Sequence, residues 1–185
     1  MKANILHPKI YVDNITSLSS NFFKKNGIKG IIVDMDNTLL NHKIKIKLKG
    51  LDEWIEEIKK SGIKIILVSN SIKRKNVKKT SEYYKIPYVY WALKPLSIGI
   101  AIGAKKLELK NEEIAVIGDQ IFTDVLGANR RGMYSILVKP LKKTKESFFT
   151  RVFRIFEKKI IEEYLKEKEI KTKDNIENEE NYDNK

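Results

Sequence analysis

Apolar runs alternating with helical segments predict an α/β protein built on a doubly wound, Rossmann-like parallel sheet of about five strands. Three observations carry this reading. The runs Ile31 to Val33 and Ile63 to Val68 stop abruptly at Asp34 and Ser69, as buried parallel strands do. Between them Leu51, Trp54, Ile55 and Ile58 recur at helical spacing, and Gly62 follows as a terminator. Strands separated by single helices need right-handed crossovers, which place helices on both faces of the sheet.

The remaining elements follow in order. A lysine-rich helix from about Ile72 to Tyr84 leads past Ile86 and Pro87 to a third strand, Tyr88 to Trp91. After Lys94 and Pro95, Ser97 is placed to cap a helix reaching about Leu109. The fourth strand is Ile114 to Ile117, ending at Gly118 and Asp119, and a helix from about Phe122 to Arg131 closes at Gly132. Tyr134 to Val138 is the fifth strand. From Lys145 onward one long helix is expected, with Phe149, Val152, Phe153, Phe156, Ile160 and Tyr164 on one stripe. These divisions give a core over 1–144, an amphipathic helix over 145–168 and a disordered polar tail over 169–185.

Composition narrows the chemistry. The 185 residues contain no cysteine, which removes disulfides, thiolate metal sites and cysteine nucleophiles, and only two histidines, His7 and His42. Carboxylates are left as the agents of any catalysis. The net charge is +13, and because residues 166–185 hold five Lys against seven Asp and Glu, the basicity belongs to the folded part. Such a surplus attracts phosphate of a lipid, a polynucleotide or a metabolite. No apolar run is long enough for a membrane span, and MKANILHPKIYVDN lacks a signal-peptide core, so a cytoplasmic location is expected.

Polar residues collect at the strand ends, where open parallel sheets bind ligands. The first strand ends in Asp34-Met35-Asp36-Asn37-Thr38, two carboxylates spaced to share a cation or to divide nucleophilic and proton-transfer work. The second ends in Ser69-Asn70-Ser71, suited to phosphoryl oxygens, and the third leads into Lys94-Pro95. The fourth ends in Gly118-Asp119-Gln120-Ile121-Phe122-Thr123-Asp124, whose acids suit a magnesium site. Each fragment is equally an ordinary cap or turn. Their joint arrangement, one at each strand end, is what points to a site.

The ordered set DMDNT, SNS, KP and GDQIFTD resembles the four motifs of the haloacid dehalogenase-like (HAD) phosphatases. The surrounding context is similar to the YqeG-like phosphatases of subfamily IIIA, whose mitochondrial relatives are phosphatidylglycerophosphatases. The likeness runs from about Leu6 to Glu157 and includes TRVFRIFE at 150–157. It implies Asp34 as nucleophile and Asp36 as the acid and base that protonates the leaving oxygen and then activates water. It implies Thr38, Ser69, Asn70 and Lys94 as phosphate-site residues, Mg²⁺ held by Asp34, Asp36 and Asp119, and Asp124 as support for that shell. Ser71 departs from the family, which often has Asn there; no catalytic step depends on that side chain.

The intervals between motifs leave no room for a cap domain, so an open site is expected, favouring phosphate presented on a large body. The implied activity is hydrolysis of phosphatidylglycerophosphate to phosphatidylglycerol, with a lipid-borne substrate and peripheral contact to an anionic membrane through residues 139–164. Residues 139–159 carry eight Lys and Arg against two Glu, which suits such contact, although packing of the stripe on the sheet or on a second subunit is the reading slightly favoured over it. Phosphatase action on polynucleotide ends or a soluble phosphometabolite, and a non-enzymatic nucleic-acid- or protein-binding module, remain the alternatives.

Overall fold

The computed structural model describes residues 4–36, 38–41, 46–69, 74–90, 98–141 and 153–169. The chain divides into two units, Met1–Glu146 and Ser147–Lys185. In the second, residues 153–169 form a helix; the start of the expected helix and nearly all of the expected tail lie outside the described residues.

The first unit contains the strands β1 (Ile10–Val12), β2 (Gly30–Val33), β3 (Leu40–Asn41), β4 (Ile46–Lys47), β5 (Lys64–Val68), β6 (Tyr88–Val89), β7 (Ile114–Gly118) and β8 (Tyr134–Val138). Its helices are α1 (Ser20–Lys25), α2 (Leu51–Lys60), α3 (Arg74–Tyr84), α4 (Ile98–Leu107) and α5 (Leu126–Asn129). Six strands form one sheet in the order β1-β8-β7-β2-β5-β6, and every pairing in it is parallel. The expected doubly wound architecture is present, with one strand more than the five expected. The additional strand is β1, a half-exposed edge segment supported by β8.

The central strands are buried on both faces, and their residues alternate between two cores. Ile31, Val33, Ile65, Leu67 and Ile117 meet Phe23 of α1 and Trp54, Ile55 and Ile58 of α2 on one side. Ile32, Ile66, Val68 and Val116 meet Ile100, Ala104 and Leu107 of α4 with Ala128 of α5 on the other. Trp54 buries its indole yet donates its Nε1–H to the Leu18 carbonyl at 2.7 Å, leaving no polar cost. At Gly103 a Cβ would stand 3.1 Å from Val68 and 3.2 Å from Ile32, so glycine lets α4 approach the sheet closely.

Local signals set α2. Gly50, at φ 75°, turns the chain into the helix; Asp52 and Glu53 occupy its first turn and Lys59 and Lys60 its last, each favourably placed on the helix dipole. The N-terminal segment is fastened by polar contacts. Asn129 donates through Nδ2 to the carbonyls of Ile5 at 2.7 Å and His7 at 2.9 Å, and accepts from the Ser135 hydroxyl at 2.7 Å. The Lys9 N–H donates to that same Ser135 oxygen at 3.1 Å.

Between β2 and β5 the described chain holds only the antiparallel β3–β4 hairpin and α2; between β5 and β7 it holds α3, β6 and α4. No cap domain occurs among the described residues. The hairpin was not foreseen from sequence. Lys47 at its end pairs with Asp52, which also accepts from the Tyr84 hydroxyl at 2.8 Å. Lys47 and Tyr84 together hold the Asp52 carboxyl below the usual carboxylate range.

Candidate active site

After β2 the chain adds β5 and β6 to one side, then crosses to β7 and β8 on the other. This reversal places a crevice beyond the carboxyl ends of β2, β5 and β7, the position where open α/β sheets bind ligands. Register brings the motif residues there. Val33 is aligned with both Leu67 and Ile117, and the Asp34 N–H donates to the Ile117 carbonyl at 2.8 Å. Asp34 thus continues β2 beside Gly118, and Asp119 lies one residue further along the neighbouring strand end. Both acids are buried, at 9% and 2% exposure.

The loop leaving β2 curls back at once. The N–H groups of Leu39 and Leu40 both donate to the Met35 carbonyl, at 3.2 and 3.3 Å, and Asp36 bridges Leu40. This turn exposes Asp36 while Met35, between the two acids, is fully buried. The fully buried Ser69 at the end of β5 turns its hydroxyl to the Asp36 carboxylate, donating to Oδ2 over 3.4 Å. Thr38 is buried in the same turn, and its Oγ1 has no hydrogen-bond partner among the described residues. A buried hydroxyl left unsatisfied costs about 1–3 kcal/mol, so such an atom fits a loop completed by a ligand.

Beyond β7 the chain enters a π-helical turn, Ile121–Val125, followed by α5. The expected helix over 122–131 is therefore replaced by a wider turn and a short helix ending at Asn129. The Val125 N–H reaches back five residues to the Gln120 carbonyl at 3.4 Å. This turn brings the buried Asp124 carboxylate back over the strand end, where Oδ2 accepts from the Gln120 N–H at 3.3 Å and the Thr123 hydroxyl at 3.2 Å. It lies so close to Gly118 that an added Cβ there would stand 2.2 Å from Asp124 Cγ. Gly118, read from the sequence only as a strand end and the first residue of its motif, is therefore a packing position that admits no side chain beside Asp124.

Asp34, Asp36, Thr38, Ser69, Asp119 and Asp124 are thus gathered at one end of the sheet. Asn70 and Lys94 lie outside the described residues. A divalent cation is tested by the donors present. Two buried carboxylates on adjacent strand ends, with backbone carbonyls beside them, form an all-oxygen set suited to a small hard ion. No cluster of three His, Cys, Asp or Glu side chains placed to hold a metal ion occurs among the described residues.

Comparison with known proteins places this arrangement. Residues 1–88 match the family model described as mitochondrial PGP phosphatase, and residues 92–149 match one described as HAD-hydrolase-like. The chain is 42% identical over 154 residues to the "Probable phosphatase YqeG" of Bacillus subtilis, covering 83% of this chain and 88% of that protein. It is 26% identical to "Phosphatidylglycerophosphate phosphatase 1, chloroplastic/mitochondrial" of Arabidopsis thaliana, covering 86% of this chain but only 48% of that longer protein. An uncharacterized protein from Listeria monocytogenes shares the fold at TM-score 0.50 and 19% identity, over 65% of this chain and 85% of that one. With 42% identity over most of both chains, the relative from Bacillus subtilis settles the family: the chain belongs to the YqeG-like phosphatases of the HAD superfamily.

Proposed function

We propose that this phosphatase is a Mg²⁺-dependent phosphomonoesterase working through an aspartyl-phosphate on Asp34, and that its substrate is phosphatidylglycerophosphate. The observation that carries the chemistry is the convergence of buried Asp34 and Asp119 with the Asp36–Ser69 pair at the switch point of the sheet. A carboxylate oxygen of Asp34 attacks phosphorus, and the bond from phosphorus to the leaving alkoxide breaks. Asp36, entering as the acid, delivers its proton to that oxygen. Water then attacks the acyl phosphate; Asp36 takes its proton, inorganic phosphate departs, and Asp34 is restored. The exposed setting of Asp36 gives it access to the leaving group and to water, while burial fixes Asp34.

Ser69 and Thr38, with Asn70 and Lys94, hold the phosphoryl oxygens. Asp34, the Asp36 carbonyl and Asp119 hold Mg²⁺, with Asp124 stiffening the Asp119 loop. When bound, the ion supplies positive charge against the phosphoryl oxygens as negative charge develops on them.

The lipid substrate is supported by the family model covering 1–88, by the name of the Arabidopsis relative and by the absence of a cap among the described residues. Residues 1–144 serve as the catalytic core, 145–168 as a basic helix and 169–185 as a polar tail; residues 139–164 lend positive charge for peripheral attachment at the cytoplasmic face. Among the described residues no helix is long and apolar enough to cross a membrane. The test is phosphate release from phosphatidylglycerophosphate in mixed micelles, beside a soluble phosphate ester and a 3′-phosphorylated oligonucleotide, with and without Mg²⁺. Magnesium-dependent preference for the lipid supports the reading. Equal weak release from all three, or preference for the oligonucleotide, overturns the substrate; release unaffected by chelator overturns the metal.

A further inference from the structure

We infer that the edge of the sheet at β6, flanked by α3 and α4, is a docking face for an anionic lipid surface in its own right, beyond the charge lent by residues 139–164, with the groove along β6 receiving apolar groups at that surface. This inference rests on the lipid-borne substrate proposed above. The groove has a volume of about 440 Å³ and is lined by Ser81 of α3, Tyr88, Val89 and Tyr90 along the edge, and Ile102 and Lys106 of α4.

Two exposed large apolar side chains line the groove, Tyr90 at 39% exposure and Ile102 at 43%, and Ile98, also at 43%, lies one turn before Ile102 on α4. Ile98, Ile102 and Lys106 are spaced four residues apart, so they line one face of α4; along the edge strand the Tyr88 and Tyr90 rings lie 6.3 Å from each other. Lys106 donates to the Tyr88 carbonyl at 3.1 Å, which closes one backbone acceptor of the edge strand.

Charge selects the occupant. Lys75, Lys78, Lys79, Lys85, Lys105 and Lys106 are all exposed along these elements, and among the described residues of 74–90 and 98–107 Glu82 is the one acid. Apolar and aromatic side chains within a field of lysines suit the headgroup boundary of an anionic bilayer. A second copy pairing at the same edge would set like charges against each other, which disfavours it.

Position ties the rim to the chemistry. Val68 is in register with Val89, and the Ser69 N–H donates to the Val89 carbonyl at 3.0 Å. Tyr90 is therefore the strand neighbour of Ser69, about 4.8 Å away at ordinary sheet spacing. Ser69, where the phosphate is held, is thus one strand from the rim of the groove, so docking here brings the headgroup region of a lipid to the strand ends that carry Asp34.

The experiment is flotation of the full chain with vesicles of phosphatidylcholine containing about one third phosphatidylglycerol, and with pure phosphatidylcholine as reference. The parent floats with the anionic vesicles. Ile98→Ser/Ile102→Ser and, separately, Lys75→Glu/Lys79→Glu lower the bound fraction at least tenfold, with turnover of a soluble phosphate ester kept at the parental rate. Raising salt to about 0.5 M narrows the gap between parent and lysine variant, because screening removes the attraction. Unchanged flotation of both variants overturns the inference, as does retention by the variants with loss on truncation after Lys143. A shift from dimer to monomer in the isoleucine variant, without vesicle binding by the parent, assigns the edge to a second copy and overturns it too. Flotation is read apart from hydrolysis: variant-sensitive binding without release from phosphatidylglycerophosphate sustains the docking face and refutes the substrate.

Discussion

Gly118→Ala is a single-methyl change with a calculable effect. The added Cβ would stand 2.2 Å from both Cγ and Oδ2 of Asp124, whereas ordinary contact begins near 3.4 Å, so the carboxylate must retreat by about 1.2 Å. Overpacking of this kind costs about 1–3 kcal/mol, and pulling the carboxylate off the Gln120 N–H and Thr123 hydroxyl adds about 1.5–3 kcal/mol. Lower entropy of the unfolded alanine chain offsets at most about 1 kcal/mol. The net expectation is a loss of about 3 kcal/mol in urea unfolding, or roughly 6–12 °C in Tm for a chain of this length. Because Gly118 adjoins Asp119, displacement on this scale also lowers kcat about a hundredfold. The control is Gly118→Ala in an Asp124→Gly background. Even the Asp124 Cβ would lie 2.6 Å from the added methyl, so only removal of the whole side chain frees the space. There the alanine costs less than about 0.5 kcal/mol. A single variant as stable as the parent, or costs that simply add, would refute the proposed packing of Asp124 on Gly118.

Asp34→Asn leaves the fold intact by circular dichroism and reduces magnesium-dependent phosphate release to background, while Asp36→Asn lowers it about 10²–10⁴-fold; full activity in either removes that residue from its role. Asp52 has a lowered carboxyl pKa because Lys47 and Tyr84 hydrogen-bond its charged form. A depressed pKa adds stability above the unfolded value, near the ordinary 3.8, and this is lost as pH falls through the lower folded value. Asp52→Asn therefore flattens the decline of the urea midpoint below about pH 4, slightly, since the side chain is 41% exposed. Trp54→Phe strands the buried Leu18 carbonyl and costs about 2 kcal/mol in urea unfolding; a loss below about 0.5 kcal/mol would show that another donor replaces the indole.

The central sheet was legible because strands buried on both faces must be continuous apolar runs, and Ile31–Val33 and Ile114–Ile117 are that on their face. The candidate site was legible because polar side chains that interrupt such runs fall at strand ends. β1 was not, since three half-exposed residues carry little local signal and gain their order from β8, more than a hundred positions away. The same holds for the two-residue strands of the β3–β4 hairpin and for the short α1, whose first N–H finds Glu57 only once α2 is in place. The π turn at Ile121–Val125 evaded a 3.6-residue template because one extra residue shifts its phase, and that shift is what turns Asp124 inward.

The pairing of β1 with β8 also orders events during synthesis. Ile10–Val12 leaves the ribosome before its partner, and these residues pair only when 134–138 has cleared the exit tunnel. At the usual elongation rates of about 5–20 residues per second, that gap of roughly 120 residues leaves the opening segment waiting about 6–25 seconds. Its lysines, asparagines and Pro8 keep it soluble through that interval, and the contacts of Asn129 and Ser135 then fasten it in one late step. A nascent chain stalled before Tyr134 would therefore carry an ordered β2–β5–β6 half with β1 unpaired, and more open to proteolysis there than the finished protein, in which β8 holds it in the sheet.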